Sequence, residues 1–149
     1  MEFNVDKGKI MHLGYNNPKN PYRMGESILE TTEEEKDLGV LIDNRLDFGK
    51  HIKTIVARAN RVLGMIRVSF ICMNIPMFLN LYTAQVRPLL EYCVQVWSPH
   101  KRMYIKLIER VQRRATKLVP QLKEINYDAR LEALGLPRFV DRRVRCDMI

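Results

Sequence analysis

The strongest constraint on this chain is a change of hydrophobic period near residue 47. Beyond it, Ile52, Ile55, Val56, Ala59, Val62, Leu63, Ile66 and Phe70 recur at spacings of three and four. At about 100° per residue they fill one arc of a helical wheel, and Lys50, Lys53, Arg58 and Arg61 fall on the opposite arc. The pattern predicts an amphipathic helix over about residues 47–70 with a basic outer face. Before it, short apolar runs are separated by turn residues, as strands are. Residues 9–13 predict a strand ended by Gly14, and 16–21 a loop rich in Asn and Pro. Residues 22–24 and 27–29 flank Gly25-Glu26 and predict a tight hairpin. Residues 31–35 predict an acidic turn, and Leu38-Gly39-Val40-Leu41-Ile42 a largely buried strand. The expected class is α+β: short antiparallel strands, then a helical bundle.

The rest of the chain continues the helical pattern. Asn74-Ile75-Pro76 predicts a helix start, with Asn74 as cap and Pro76 just inside. Residues 77–97 are mostly apolar and predict a central buried helix, kinked or split at Pro88, which lacks an N–H and clashes with the preceding turn. A third helix is expected over 101–119, with an apolar stripe of Tyr104, Leu107, Ile108, Val111, Ala115 and Leu118, stopped by Pro120. Asn126 predicts a cap for a short helix to Leu134, closed by Gly135, and Pro137 opens one more. The chain stops at Ile149 inside a helical pattern, so it is expected to be cut from a longer protein.

Charge divides the chain unevenly. Residues 1–50 hold 7 Lys/Arg against 10 Asp/Glu, a net −3, whereas residues 51–149 hold 18 against 7, a net +11. Such asymmetry points the second part toward a polyanion. Three scattered cysteines, with no CxxC or Cys/His cluster, indicate neither a disulfide framework nor a zinc site. No stretch approaches the roughly 18 uncharged apolar residues of a membrane span. The first residues carry acids and no apolar run, unlike a signal peptide. An intracellular, non-secreted protein is expected.

No catalytic constellation is visible. His12, His51 and His100 lack metal-ligand spacing, and GxSxG, P-loop and GxGxxG motifs are missing. The acidic run Glu33-Glu34-Glu35-Asp37 sits where a solvated turn is expected, not on rigid elements as metal catalysis requires. The basic helices are more informative. In the third helix Arg102, Lys106, Arg110, Arg113, Arg114 and Lys117 occupy much of the circumference left by the apolar stripe, with Glu109 the one acid among them. Cations at three- and four-residue spacing form a stripe that tracks phosphates, and the planar fork of Arg suits them. An anionic membrane is the competing partner, weakened because the apolar stripes are matched to neighbouring helices.

Several blocks stand in order along the chain: Phe3-Asn4-Val5-Asp6-Lys7 with 9–14, Glu35-Lys36-Asp37-Leu38-Gly39-Val40, Ala59-Asn60-Arg61-Val62-Leu63-Gly64, Val86-Arg87-Pro88-Leu89-Leu90-Glu91-Tyr92 with Trp97-Ser98-Pro99, Glu109–Lys117, and Leu131-Glu132-Ala133-Leu134-Gly135. Taken together, they resemble the reverse transcriptases of jockey-type non-LTR retrotransposons. The resemblance implies that residues 1–46 are the end of the palm, 47–120 a helical thumb, and 121–149 a further helical segment. It implies that Lys7 is the lysine near an incoming nucleotide's phosphates and that Leu38-Gly39-Val40 forms the primer grip. It implies an RNA–DNA hybrid or other duplex as partner, met along the backbone by Lys50, Lys53, Arg58, Arg61, Lys106, Arg110, Arg113, Arg114 and Lys117. The family polymerises DNA on an RNA template with two magnesium ions held by palm aspartates, in a motif of the form aromatic-Ala-Asp-Asp. That motif is not in this sequence. Met1 is therefore expected to be an internal methionine of a longer frame, severed from its palm and fingers. The chain alone is expected to bind duplex without a cofactor and without polymerising. The alternative is a host-adopted helical module, descended from such an element, that binds RNA or protein.

Overall fold

The computed structural model describes residues 8–146, with side chains to residue 143. Two compact units follow one another, residues 1–51 and 52–149.

The first unit holds three separate two-stranded pairings. β1 (Lys9–Ile10) pairs with β4 (Glu30–Thr31), β2 (Arg23–Met24) with β3 (Ser27–Ile28), and β5 (Glu34–Asp37) with β6 (Val40–Asp43). The β2–β3 hairpin forms where Gly25-Glu26 predicts it. Gly25 has φ 64, the positive first central position of a type II′ turn. Three expectations need correction. The β1–β4 pairing is parallel, so the strands are not all antiparallel. The acidic run is a strand rather than a turn, because β5 finds a partner in β6, with Asp37 opposite Val40 and Glu34 opposite Asp43. Leu38 and Gly39 are not in a buried strand: they are the two-residue tip of that hairpin, with φ 43 and φ 88, and Leu38 is 81% exposed. A two-residue loop with positive φ at both positions fits the twist of the flanking strands, and this requirement overrides the apolar character of leucine. Val40 remains buried. His51 is buried too, and its Nδ1 accepts the Leu41 backbone N–H at 3.2 Å.

The second unit is helical. α1 (Gly49–Ser69) occupies nearly the span its periodicity predicts. Ile52, Ile55, Val56, Ala59, Leu63 and Ile66 are buried along one side of it. Each such large aliphatic side chain contributes roughly 1.5–3 kcal/mol on leaving water. Asn74 caps α2 (Ile75–Leu81), its side-chain oxygen accepting the Met77 N–H at 2.9 Å.

Proline 88 splits the central apolar segment in an informative way. Tyr82–Val86 forms a π-helical turn, with the Arg87 N–H donating to the Tyr82 carbonyl, before α3 (Arg87–Glu91) resumes. The widened turn accommodates a residue that has no N–H and whose ring crowds the turn before it. A second break follows at Cys93, which is left-handed at φ 53 and leads into α4 (Val94–Trp97). The buried Trp97 ring donates its N–H to the Tyr92 carbonyl at 2.7 Å. α5 (Arg102–Ala115) ends in 3₁₀ turns at Thr116–Leu118 and Pro120–Leu122. Asn126 caps α6 (Tyr127–Leu134), and Gly135 closes it at φ 61. α7 (Phe139–Cys146) follows. Phe78, Leu90, Trp97, Ile108, Val111 and Val119 make the centre of this core. Among the described residues, no helix is long and apolar enough to cross a membrane.

Candidate nucleic-acid interface

α5 carries the most ordered array of cations. Tyr104, Ile108, Val111 and Ala115 are buried, while Arg102, Lys106, Arg110, Arg113 and Arg114 are exposed. At about 100° per residue, Arg102, Lys106, Arg110 and Arg113 fall within roughly 80° of arc, with Arg114 on the flank. Lys117 follows, exposed, in the 3₁₀ turn. From Arg102 to Arg113 the stripe runs roughly 16 Å, enough to lie beside four or five phosphates of one strand at about 3.4 Å of axis each. Among the described residues, no carboxylate stands within ion-pairing distance of Lys106, Arg110, Arg113, Arg114 or Lys117.

The neighbours of the stripe explain why it lacks acidic partners. Glu109 is turned inward, and one of its oxygens accepts the Tyr127 O–H. Burial, then this hydrogen bond, pushes the Tyr127 phenol well above its usual range, so it stays a neutral donor. The Arg113 guanidinium lies 4.6 Å from the centre of the Tyr127 ring, and that of Arg130 lies 5.7 Å from it. Arg130 is only 3% exposed. Its Nε donates to Thr116 Oγ1 at 3.0 Å and one terminal nitrogen to the Ile125 carbonyl at 2.7 Å. Gln112, also buried, donates to the Pro137 carbonyl at 2.8 Å. The inner side of α5 is thus tied to α6 and to the approach to α7, and its outer side is left to cations.

α1 adds a broader basic face. Lys53, Arg58 and Arg61 are exposed, and they spread over roughly 140° of arc rather than forming a line. Arg114 links the two helices, donating to the Asn60 side-chain oxygen at 2.7 Å. This bond brings the flank of the α5 stripe beside Arg61. The other expected residues lie elsewhere. Lys50 belongs to the first unit and is paired there with Glu34. The acidic run is therefore partly ion-paired, and Glu35 is likewise paired with Lys9 at 2.9 Å. Leu38, Gly39 and Val40 are in the first unit's β5–β6 hairpin. Lys7 lies outside the described residues. Among the described residues, no group of three or more His, Cys, Asp or Glu side chains is gathered to hold a metal ion.

Sequence reasoning missed Tyr127, Arg130, Gln112 and Asn60. A faint signal existed for the first two: they stand three apart behind an N-cap, on the same face as Leu131 and Leu134. Gln112 and Asn60 gave none, because a single polar residue at the edge of a stripe is indistinguishable from a solvated one.

No protein-family model matches the chain, and no solved structure matches it significantly. A curated relative, an uncharacterized protein of Caenorhabditis elegans, is 31% identical over 98 residues, which make up 64% of this chain and 50% of the relative. The chain thus spans about half the length of the curated relative it matches.

Proposed function

We propose that the helical unit binds the backbone of duplex nucleic acid, as the thumb of a non-LTR retrotransposon reverse transcriptase holds template and primer. The observation that carries this reading is the α5 stripe: aligned, exposed cations without carboxylate partners among the described residues, on a helix whose opposite side is buried. Contacts of this kind position a duplex and carry no sequence information. In the same reading the Leu38-Gly39-Val40 tip is the primer grip, and Lys7 is the lysine near nucleotide phosphates. The chain alone does not polymerise, because the aromatic-Ala-Asp-Asp motif is not in its sequence.

Filter binding of the full chain to an RNA–DNA hybrid over a range of salt tests the reading. With about five phosphates neutralised, the log–log slope is roughly −4 to −5, the value for B-form duplex. A slope near zero, or no binding, overturns it. Primer extension with magnesium should yield no product.

One observation favours a second reading, a host-adopted module that binds protein. Val68, in the last turn of α1, and Ile71, just beyond that helix, are 84% and 93% exposed. Salt-independent binding to a protein partner, without hybrid binding, would support it.

A further inference from the structure

The first unit contains a cavity of about 360 Å³ framed by two loops, each clasped by one of its own side chains. In the first loop, Asn17 donates to the Leu13 carbonyl at 3.3 Å and accepts the Lys19 backbone N–H at 3.0 Å. In the second, one Asp43 carboxylate oxygen accepts the backbone N–H groups of Arg45 at 3.1 Å and Asp47 at 3.0 Å. The loops are joined by the Gly14 N–H, which donates to the Asn44 carbonyl at 3.3 Å. The Asn44 N–H in turn donates to the Glu33 carbonyl at 2.9 Å.

This framework sets Lys19 and Arg45 in the cavity wall with His12, Tyr15 and Glu33. Among the described residues, no carboxylate lies within ion-pairing distance of either cation. Lys19 and Leu46, both lining residues, have φ 53. Side chains of L-residues rarely adopt that conformation, and such strain gathers at ligand sites. The Tyr15 ring is 89% exposed and has the Arg45 guanidinium 6.0 Å from its centre. The volume lies at the lower end of the roughly 300–1,000 Å³ typical of small-molecule sites.

The geometry points to a binding site for a small phosphomonoester carrying a planar ring, its phosphate between Lys19 and Arg45 and its ring against Tyr15. Two cations suit a phosphate, the guanidinium through paired donors. An exposed aromatic beside a guanidinium suits a flat ring. Glu33 leaves Lys19, Arg45 and Glu33 with one net positive charge, and its carboxylate favours a ring that also offers N–H donors, as heterocyclic amines do. The site is in a different unit from the α5 stripe and does not depend on duplex binding.

Titrating the isotope-labelled full chain by NMR, at constant ionic strength, with inorganic phosphate, phenyl phosphate and guanosine monophosphate tests this. Saturable shifts should appear at residues 12–19 and 43–47, with both ring esters binding at least about tenfold more tightly than inorganic phosphate. Lys19→Gln and Arg45→Gln should each weaken the esters about tenfold, because each removes a charge-assisted hydrogen bond. Tyr15→Ala should weaken the esters and leave inorganic phosphate unchanged, and Arg110→Gln should affect neither. The tighter of the two esters distinguishes a nucleotide source from another aryl phosphate. Equal binding of all three probes overturns the proposal. So does the absence of saturable shifts, or shifts indifferent to the double change at Lys19 and Arg45.

Discussion

Arg113 of α5 rests over the ring of Tyr127 of α6, 4.6 Å from its centre, while the Tyr127 hydroxyl is held by Glu109, one turn back along α5. A cation in the middle of the basic stripe is thus braced by a residue outside it. Stacking of this kind is worth about 0.5–1 kcal/mol at exposed sites and leaves the edge of the guanidinium free to donate. We predict that Tyr127→Ala weakens hybrid binding about threefold with the salt slope unchanged, because no cation is lost. Arg113→Gln should instead flatten the slope by about one. A changed slope in Tyr127→Ala would show that the ring does more than brace.

Tyr82 is 2% exposed, and its hydroxyl is buried with no hydrogen-bond partner among the described residues. Replacing it with Phe removes the desolvation penalty and keeps the ring that stacks on Phe78, with centroids 5.6 Å apart. Tyr82→Phe should be neutral or stabilising by about 1 kcal/mol, read as the urea midpoint. A loss above about 1 kcal/mol would mean the hydroxyl has a partner.

Alkaline pH should unfold the helical unit. Burial, then the Glu91 carboxylate, raises the Tyr82 phenol, and burial, then the bond to Glu109, raises Tyr127. Both therefore favour the neutral form when folded. Their contribution is fully present below the unfolded value of about 10 and is lost as pH rises above it, because only the unfolded chain ionises there. Tyr82 and Tyr127 should titrate in ultraviolet absorbance only together with loss of helical circular dichroism. Ionisation of Tyr82 and Tyr127 with helical circular dichroism intact would refute this.

Leu38 occupies the first central position of a two-residue turn at φ 43, a region that disfavours leucine. Leu38→Asn before Gly39 creates the pair such turns prefer. It should stabilise the β5–β6 hairpin by about 0.5–1 kcal/mol, measured as slower amide exchange at Val40 and Leu41. Faster exchange would show that the exposed leucine is held by contacts that outweigh its backbone strain.

The strands of the first unit form three two-stranded pairings, and β2, β3 and β4 are exposed along their whole lengths. Unpaired strand edges are templates for aggregation. Residues 47–149 should therefore give more soluble protein on expression than the full chain, judged by the supernatant fraction. Equal recovery would show that these edges are harmless.

Features that depend on near neighbours along the chain were legible in the order of its residues. The three- and four-residue spacing from Ile52 to Ile66 specified α1, and Asn74, Asn126 and Gly135 marked the ends of α2 and α6, because caps and stripes are local. The outward cations of α5 followed from the same wheel. The remaining features arose from contacts made only in the folded chain. Pairing with β6 made a strand of the acidic run and pushed Leu38 to an exposed tip. Pro88 was accommodated by a π-helical turn over Tyr82–Val86, with Tyr82 and Val86 buried. Glu109 turned inward because Tyr127, eighteen residues on, offered a hydroxyl, and Arg130 was buried because Thr116 and Ile125 offered oxygens. Partners distant in sequence leave no periodic trace, so chain order alone could not specify which polar groups the core would enclose.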